Sequence, residues 1–111
     1  MPPAYLGEFE HQVLLVILRL DAGAYGPEIS RELEERAGRR VSRGALYTTL
    51  ERLEDKGLIR WKTVPGTAAR DGLPRRVYSA TAAGVRGLRA AREIERRMWD
   101  GMDARLKDLE R

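Results

Sequence analysis

The sequence predicts a mainly α fold with one small β-hairpin, and three observations predict it. Apolar residues recur at three- and four-residue spacing in four separate segments, the signature of amphipathic helices. Two short runs rich in β-branched and aromatic residues flank a tip containing Pro65, Gly66, Gly72 and Pro74, the signature of a hairpin. The chain of 111 residues is long enough for one modest core and too short for two.

The first helix is predicted from Leu6 to Leu20. Leu6, Phe9, Val13, Val16, Ile17 and Leu20 form its apolar stripe, and Leu14, Leu15 and Leu18 widen that stripe almost all the way round. A helix apolar on two sides must be covered on two sides, and in so small a domain the second cover is a partner subunit. Asp21 to Pro27 then breaks the chain, and Pro27 suits the first turn of a second helix that runs to about Ala37 and stops at Gly38. Ile29 and Leu33 are its buried positions.

Ser42 is placed to cap a third helix, Arg43 to Lys56, ended by Gly57 and packed through Leu46, Leu50 and Leu53. Strand-like residues 58–64 and 75–80 form the hairpin, with Trp61 and Tyr78 facing each other across it. Thr81 caps the last helix. Its stripe of Val85, Leu88, Ala91, Ile94, Met98, Met102, Leu106 and Leu109 spans about seven turns, so most of it must leave the domain and bury its stripe either on its own chain or against a second subunit. Gly101 weakens that helix locally, by roughly 1 kcal/mol relative to alanine.

Three helices, a basic hairpin and a long helix, in that order, make a winged helix-turn-helix followed by a dimerisation helix. Two functional parts follow: residues 1–80 as a DNA-binding domain, and residues 81–111 as a dimerisation helix that packs with the first helix and the partner. Charge supports the division. Residues 1–38 carry 3 basic and 7 acidic side chains, residues 39–80 carry 10 and 4, and residues 81–111 carry 8 and 6. The electropositive middle is what a polyanion-binding surface requires.

In a winged helix-turn-helix the third helix enters the major groove and the hairpin tip reaches the neighbouring backbone or minor groove. Opposite Leu46, Leu50 and Leu53, that helix presents Gly44, Thr48, Glu51, Arg52 and Asp55. Arg39, Arg40, Ser42, Arg43, Gly44, Tyr47, Thr48 and Arg52 are therefore the candidate contacts from the helix and its approach, with Arg43 and Thr48 expected to read bases. Lys62, Arg70, Arg75 and Arg76 are the candidate contacts from the wing, with Arg75 expected to grip backbone.

Leu6, Phe9, Val13, Ile94, Met98, Met102, Leu106 and Leu109 are the expected dimer interface. Met98, Trp99 and Met102 are candidates for an effector site, because flexible thioethers and a flat ring suit planar drug-like ligands, although plain dimer core is the simpler role.

Other functions lack their chemistry. Cysteine is absent, which removes disulfides, thiolate metal sites and cysteine nucleophiles and fits a reducing cytoplasm. His11 is the single histidine, and no phosphate-cradling glycine loop or carboxylate pair occurs, so neither an enzyme, a metal site nor a cofactor is expected. The apolar run Val13 to Leu18 is far shorter than the ~20 residues a membrane span needs. The competing function is a winged helix used for protein interaction or assembly without specific DNA binding, since the fold alone does not decide.

The chain also resembles the PadR family of bacterial transcriptional regulators. The residues that carry the resemblance are Tyr25-Gly26 with Ile29, Ser42 to Tyr47, Leu50, Arg52-Leu53-Glu54, Lys56 to Ile59, and Arg75 to Thr81 with Gly84. Thr48 and Ala80 depart from the Pro and Leu common in the family at those places. The resemblance implies a cytoplasmic homodimer that binds an inverted repeat in double-stranded DNA and represses transcription, often until a small molecule binds near the dimer interface. The brief C-terminal segment resembles the short subgroup with one helix after the wing.

Overall fold

A computed structural model describes residues 6–67 and 71–111. Its elements are α1 (Glu8–Leu20), a 3-10 turn (Asp21–Gly23), α2 (Gly26–Ala37), α3 (Arg43–Asp55), β1 (Ile59–Val64), β2 (Arg75–Ala80), α4 (Ala82–Trp99) and α5 (Met102–Leu109).

The predicted caps form as hydrogen bonds. Ser42 Oγ accepts from the Ala45 N–H at 3.1 Å and opens α3, and Thr81 Oγ1 accepts from the Gly84 N–H at 3.1 Å and opens α4. The Thr81 hydroxyl also donates to the Gly57 carbonyl at 2.7 Å, tying the exit of the hairpin to its entrance. α2 begins with Pro27 in its first turn and closes on Gly38, whose φ of 62° is left-handed.

The strands pair antiparallel with Trp61 opposite Tyr78. On the far side of β2, the Tyr78 N–H donates to the Ala24 carbonyl at 2.9 Å, so the segment before α2 lies alongside the hairpin. One core fills the space between: Val13, Leu14, Val16 and Ile17 from α1, Ile29 and Leu33 from α2, Leu46, Leu50 and Leu53 from α3, then Leu58, Ile59, Tyr78 and Leu88. α4 approaches this body closely enough that a Cβ on Gly84 would collide with the Leu58 carbonyl oxygen. No helix among the described residues is long and apolar enough to cross a membrane.

Two expectations change. The last helix is two helices, because Gly101 takes φ 76° and ends the hydrogen-bond ladder between Trp99 and Met102. A left-handed glycine here is a break rather than the tolerated weak point that helical periodicity alone suggests. Val13 is fully buried in the core of its own chain and has no surface left for a partner, whereas Leu15 and Leu18 are about half exposed. The predicted stripe of α1 faces the core, and its second apolar side lies at Leu15 and Leu18.

The radius of gyration is 16.7 Å, against about 13 Å for a compact domain of this length. The excess is the C-terminal extension. From Arg92 to Arg111 every residue is exposed, including Ile94, Met98, Trp99, Met102, Leu106 and Leu109.

Candidate nucleic-acid interface

α3 presents the face that its periodicity predicted. Leu46, Leu50 and Leu53 are buried, while Ser42, Arg43, Gly44, Thr48, Glu51, Arg52 and Asp55 are exposed. Thr49, a buried polar residue, donates its hydroxyl to the Ala45 carbonyl at 3.0 Å, so its own donor is met inside the fold.

Tyr47 lies on the flank of α3 against the start of α2. Its hydroxyl stands 2.7 Å from where a Gly26 Cβ would be, so only glycine lets this ring dock. The guanidinium of Arg43 lies 5.6 Å from the centre of the same ring. Among the described residues, neither Arg43, Arg52 nor Lys62 forms a salt bridge.

The wing is anchored at its base by packing on both sides. Trp61 donates its indole N–H to Glu54 of α3 at 3.1 Å, and Arg76 stacks on the Trp61 ring at 3.9 Å. Burial raises the pKa of the Tyr78 phenol, with the neighbouring Arg76 guanidinium acting the other way, so this phenol stays neutral.

Arg75, expected to grip backbone, is engaged within the chain. It donates to both carboxylate oxygens of Glu28, at 3.1 and 2.9 Å, and stacks on Tyr25 at 3.8 Å. Its charge is neutralised within the chain, and what it grips is the first turn of α2. Arg39 is similarly committed: it lies 4.5 Å over the Phe9 ring and donates to Gln12 at 3.3 Å. Arg40 makes an exposed pair with Glu34. Arg70 lies outside the described residues. The sequence carried no signal for the Glu28–Arg75 bond, which joins residues 47 positions apart.

Between the starts of α2 and α3 and the base of the wing lies a cleft of about 350 Å³. Tyr25, Gly26 and Pro27 form one wall, Arg43 and Tyr47 a second, and Pro74, Arg75 and Arg76 the third. A second, larger groove of about 750 Å³ runs between α1 and α4, lined by Leu6, His11, Leu15, Ala91 and Ile94 among others. The effector candidates Met98, Trp99 and Met102 lie beyond it, and the Trp99 indole is hydrogen-bonded to Glu95 at 3.0 Å.

Comparison with known proteins gives one consistent answer. The family model described as the transcriptional regulator PadR-like family matches residues 13–90. The transcriptional regulator Rv3488 of Mycobacterium tuberculosis is 42% identical over 85 residues, covering 73% of this chain and 75% of that protein. A PadR family regulator from Eggerthella lenta superposes with a TM-score of 0.66 at 30% identity, over 85% of this chain and 80% of its own. Bacillus subtilis PadR, solved in complex with operator DNA, shares the fold with a TM-score of 0.60 at 22% identity, over 74% of this chain and 46% of its own.

Proposed function

We propose, given that this chain belongs to the PadR-like family of transcriptional regulators, that it is a homodimeric repressor of the duplex-DNA-binding kind, acting on an inverted repeat. The observation that carries the DNA reading is the exposed, cation-bearing start of α3 beside a wing anchored at its base. In this reading α3 enters the major groove through Gly44, Thr48 and Arg52, with Ser42, Arg43 and Tyr47 at its leading end. Lys62, Arg70 and Arg76 follow the neighbouring backbone. Arg39, Arg40 and Arg75 contribute indirectly, by holding the elements that present those residues.

The dimer reading is supported by the apolar side chains that the C-terminal extension leaves in water. Ile94, Met98, Met102, Leu106 and Leu109 repeat at helical spacing over α4 and α5, and Leu15 and Leu18 lie exposed on α1. Covering a stripe of this length needs another helix of the same kind, which a second copy supplies. Leu6 and Phe9 stand at its margin. A small aromatic ligand would act as inducer by entering the dimer cleft bordered by the α1–α4 groove and by Met98, Trp99 and Met102. Because two-fold symmetry sets the spacing of the two reading helices, ligand-driven rotation of the subunits would release the operator.

Selection of bound genomic fragments by the purified protein tests the core of this proposal. A palindromic consensus, bound with an affinity that falls steeply with salt, is the expected result. Salt-insensitive or absent binding would favour an assembly module instead.

A further inference from the structure

The cleft between α2, α3 and the wing carries more positive charge than docking a hairpin requires. Arg75 and Glu28 neutralise each other beside it. Arg43 and Arg76 remain, and neither has a carboxylate partner among the described residues. Each lies instead over an aromatic face, Arg76 stacked at 3.9 Å on Trp61 and Arg43 more loosely at 5.6 Å from Tyr47. Stacking fixes the plane of a guanidinium while leaving N–H groups along its edge free to donate. The Tyr47 hydroxyl, which has no partner among the described residues, adds a neutral donor beside Gly26.

We infer that this cleft seats one backbone phosphodiester of the duplex, gripped by Arg43, Arg76 and the Tyr47 hydroxyl. Arg–phosphate recognition is planar and bidentate, and two forks with a phenol around about 350 Å³ offer the donor set of a tetrahedral oxyanion. The inference rests on the DNA-binding reading above and changes the division of labour within it. Arg43 sets the register of α3 on the duplex, and base discrimination falls to the outward face at Gly44, Thr48 and Arg52. Because the walls of the cleft come from three elements, a phosphate there locks the wing against α3 at the moment of docking.

The test uses the full-length protein, a mixed-sequence duplex and a salt titration followed by fluorescence anisotropy, with selection from a random library in parallel. Arg43→Gln and Arg76→Gln should each lower the slope of log affinity on log salt by about 1 per bound subunit. Each should weaken mixed-sequence and selected DNA by the same factor and return an unchanged consensus. Tyr47→Phe keeps the ring against Gly26 and should weaken both classes of DNA by roughly tenfold or less, with the slope unchanged because no charge is removed.

An Arg43→Gln protein with the wild-type slope, or with a shifted consensus, overturns the phosphate seat. It would make Arg43 a base reader, or the cleft a site for a free phosphorylated metabolite. A wild-type protein that shows no salt-dependent binding to any duplex overturns the DNA reading itself, which is a different result.

Discussion

α4 is one helix with two environments. In its first half Gly84, Gly87 and Leu88 are buried against the body, and Gly84 lies so near the Leu58 carbonyl that no side chain fits. In its second half Ile94 is 51% and Met98 72% exposed. The backbone is the same, so the difference lies in what each half is built to meet: small residues where the Leu58 backbone is already present, large flexible ones where nothing among the described residues arrives. Residues 81–111 are therefore not a uniform appendage, and the body extends roughly to the middle of α4.

Breaking the outer half should have the largest effect. Replacing Ile94 and Met98 together by Glu removes four large apolar side chains from a two-fold interface, about 6 kcal/mol at the lower end of the range for buried aliphatic groups. The variant should sediment as a folded monomer with an unchanged melting temperature for the body. Its affinity for a palindromic site should fall at least a hundredfold, towards that of one half-site. A variant that stays dimeric would place the interface elsewhere.

Breaking the inner half should unfold instead of dissociate. Gly84→Ala drives a methyl into the Leu58 carbonyl oxygen, a rigid backbone atom that cannot yield cheaply. A loss of about 2–3 kcal/mol is expected, read as a lowered denaturation midpoint at every protein concentration. Concentration-dependent destabilisation would mean that the inner half also takes part in the dimer.

Gly101 sharpens the comparison, because it decides where the outer stripe points. Alanine at φ 76° costs about 1–2 kcal/mol, and alanine in a continuous helix gains about 1 kcal/mol over glycine, so both terms drive Gly101→Ala towards one straight helix. The expected result is higher helicity by circular dichroism together with a changed dimer affinity, since straightening brings Met102, Leu106 and Leu109 onto the same helical face as Ile94 and Met98. Unchanged dimer affinity would show that α5 lies outside the interface.

This break marks the limit of what the sequence could tell. Caps, strand register and the core stripe of α3 were legible because each depends on residues close in the chain: Ser42 with Ala45, Thr81 with Gly84, Leu46 with Leu50. At Gly101 the local signal was present but ambiguous, since helical periodicity persists across the break. The assignment of individual arginines was not legible. Arg75 and Arg76 are adjacent and alike, yet they point to opposite faces of β2, one towards Glu28 and the other over Trp61. Which neighbour waits on each face is a tertiary fact. For the same reason Val13, expected at the dimer interface, lies in the core: the apolar surface of α1 is wide enough for either side to face the body.

The smallest expected effect concerns the bond that links α1 to the end of α3. Glu10 of α1 accepts from Lys56, at the end of α3, through both carboxylate oxygens at 2.8 Å, and also from the Gly7 N–H at 2.9 Å. Burial pushes its pKa up, but the Lys56 hydrogen bond, the Gly7 N–H and the charges of Lys56 and Arg52 together outweigh burial and hold it below the ordinary carboxylate value of 4.5. A carboxyl depressed in the folded state contributes stability above its unfolded pKa and loses that contribution as pH falls through the folded one. Stability should therefore be level from neutral pH to about 5 and decline below 4.5, with Glu10 contributing up to about 1 kcal/mol, since Lys56 remains partly in solvent. Glu10→Gln should flatten that decline between pH 5 and about 3 in urea titrations. It should also loosen α1 against α3 at neutral pH, weakening DNA binding by less than about fivefold. An acid decline identical in the variant would assign it to other carboxylates and leave α1 and α3 coupled through Leu14, Ile17, Leu50 and Leu53 alone.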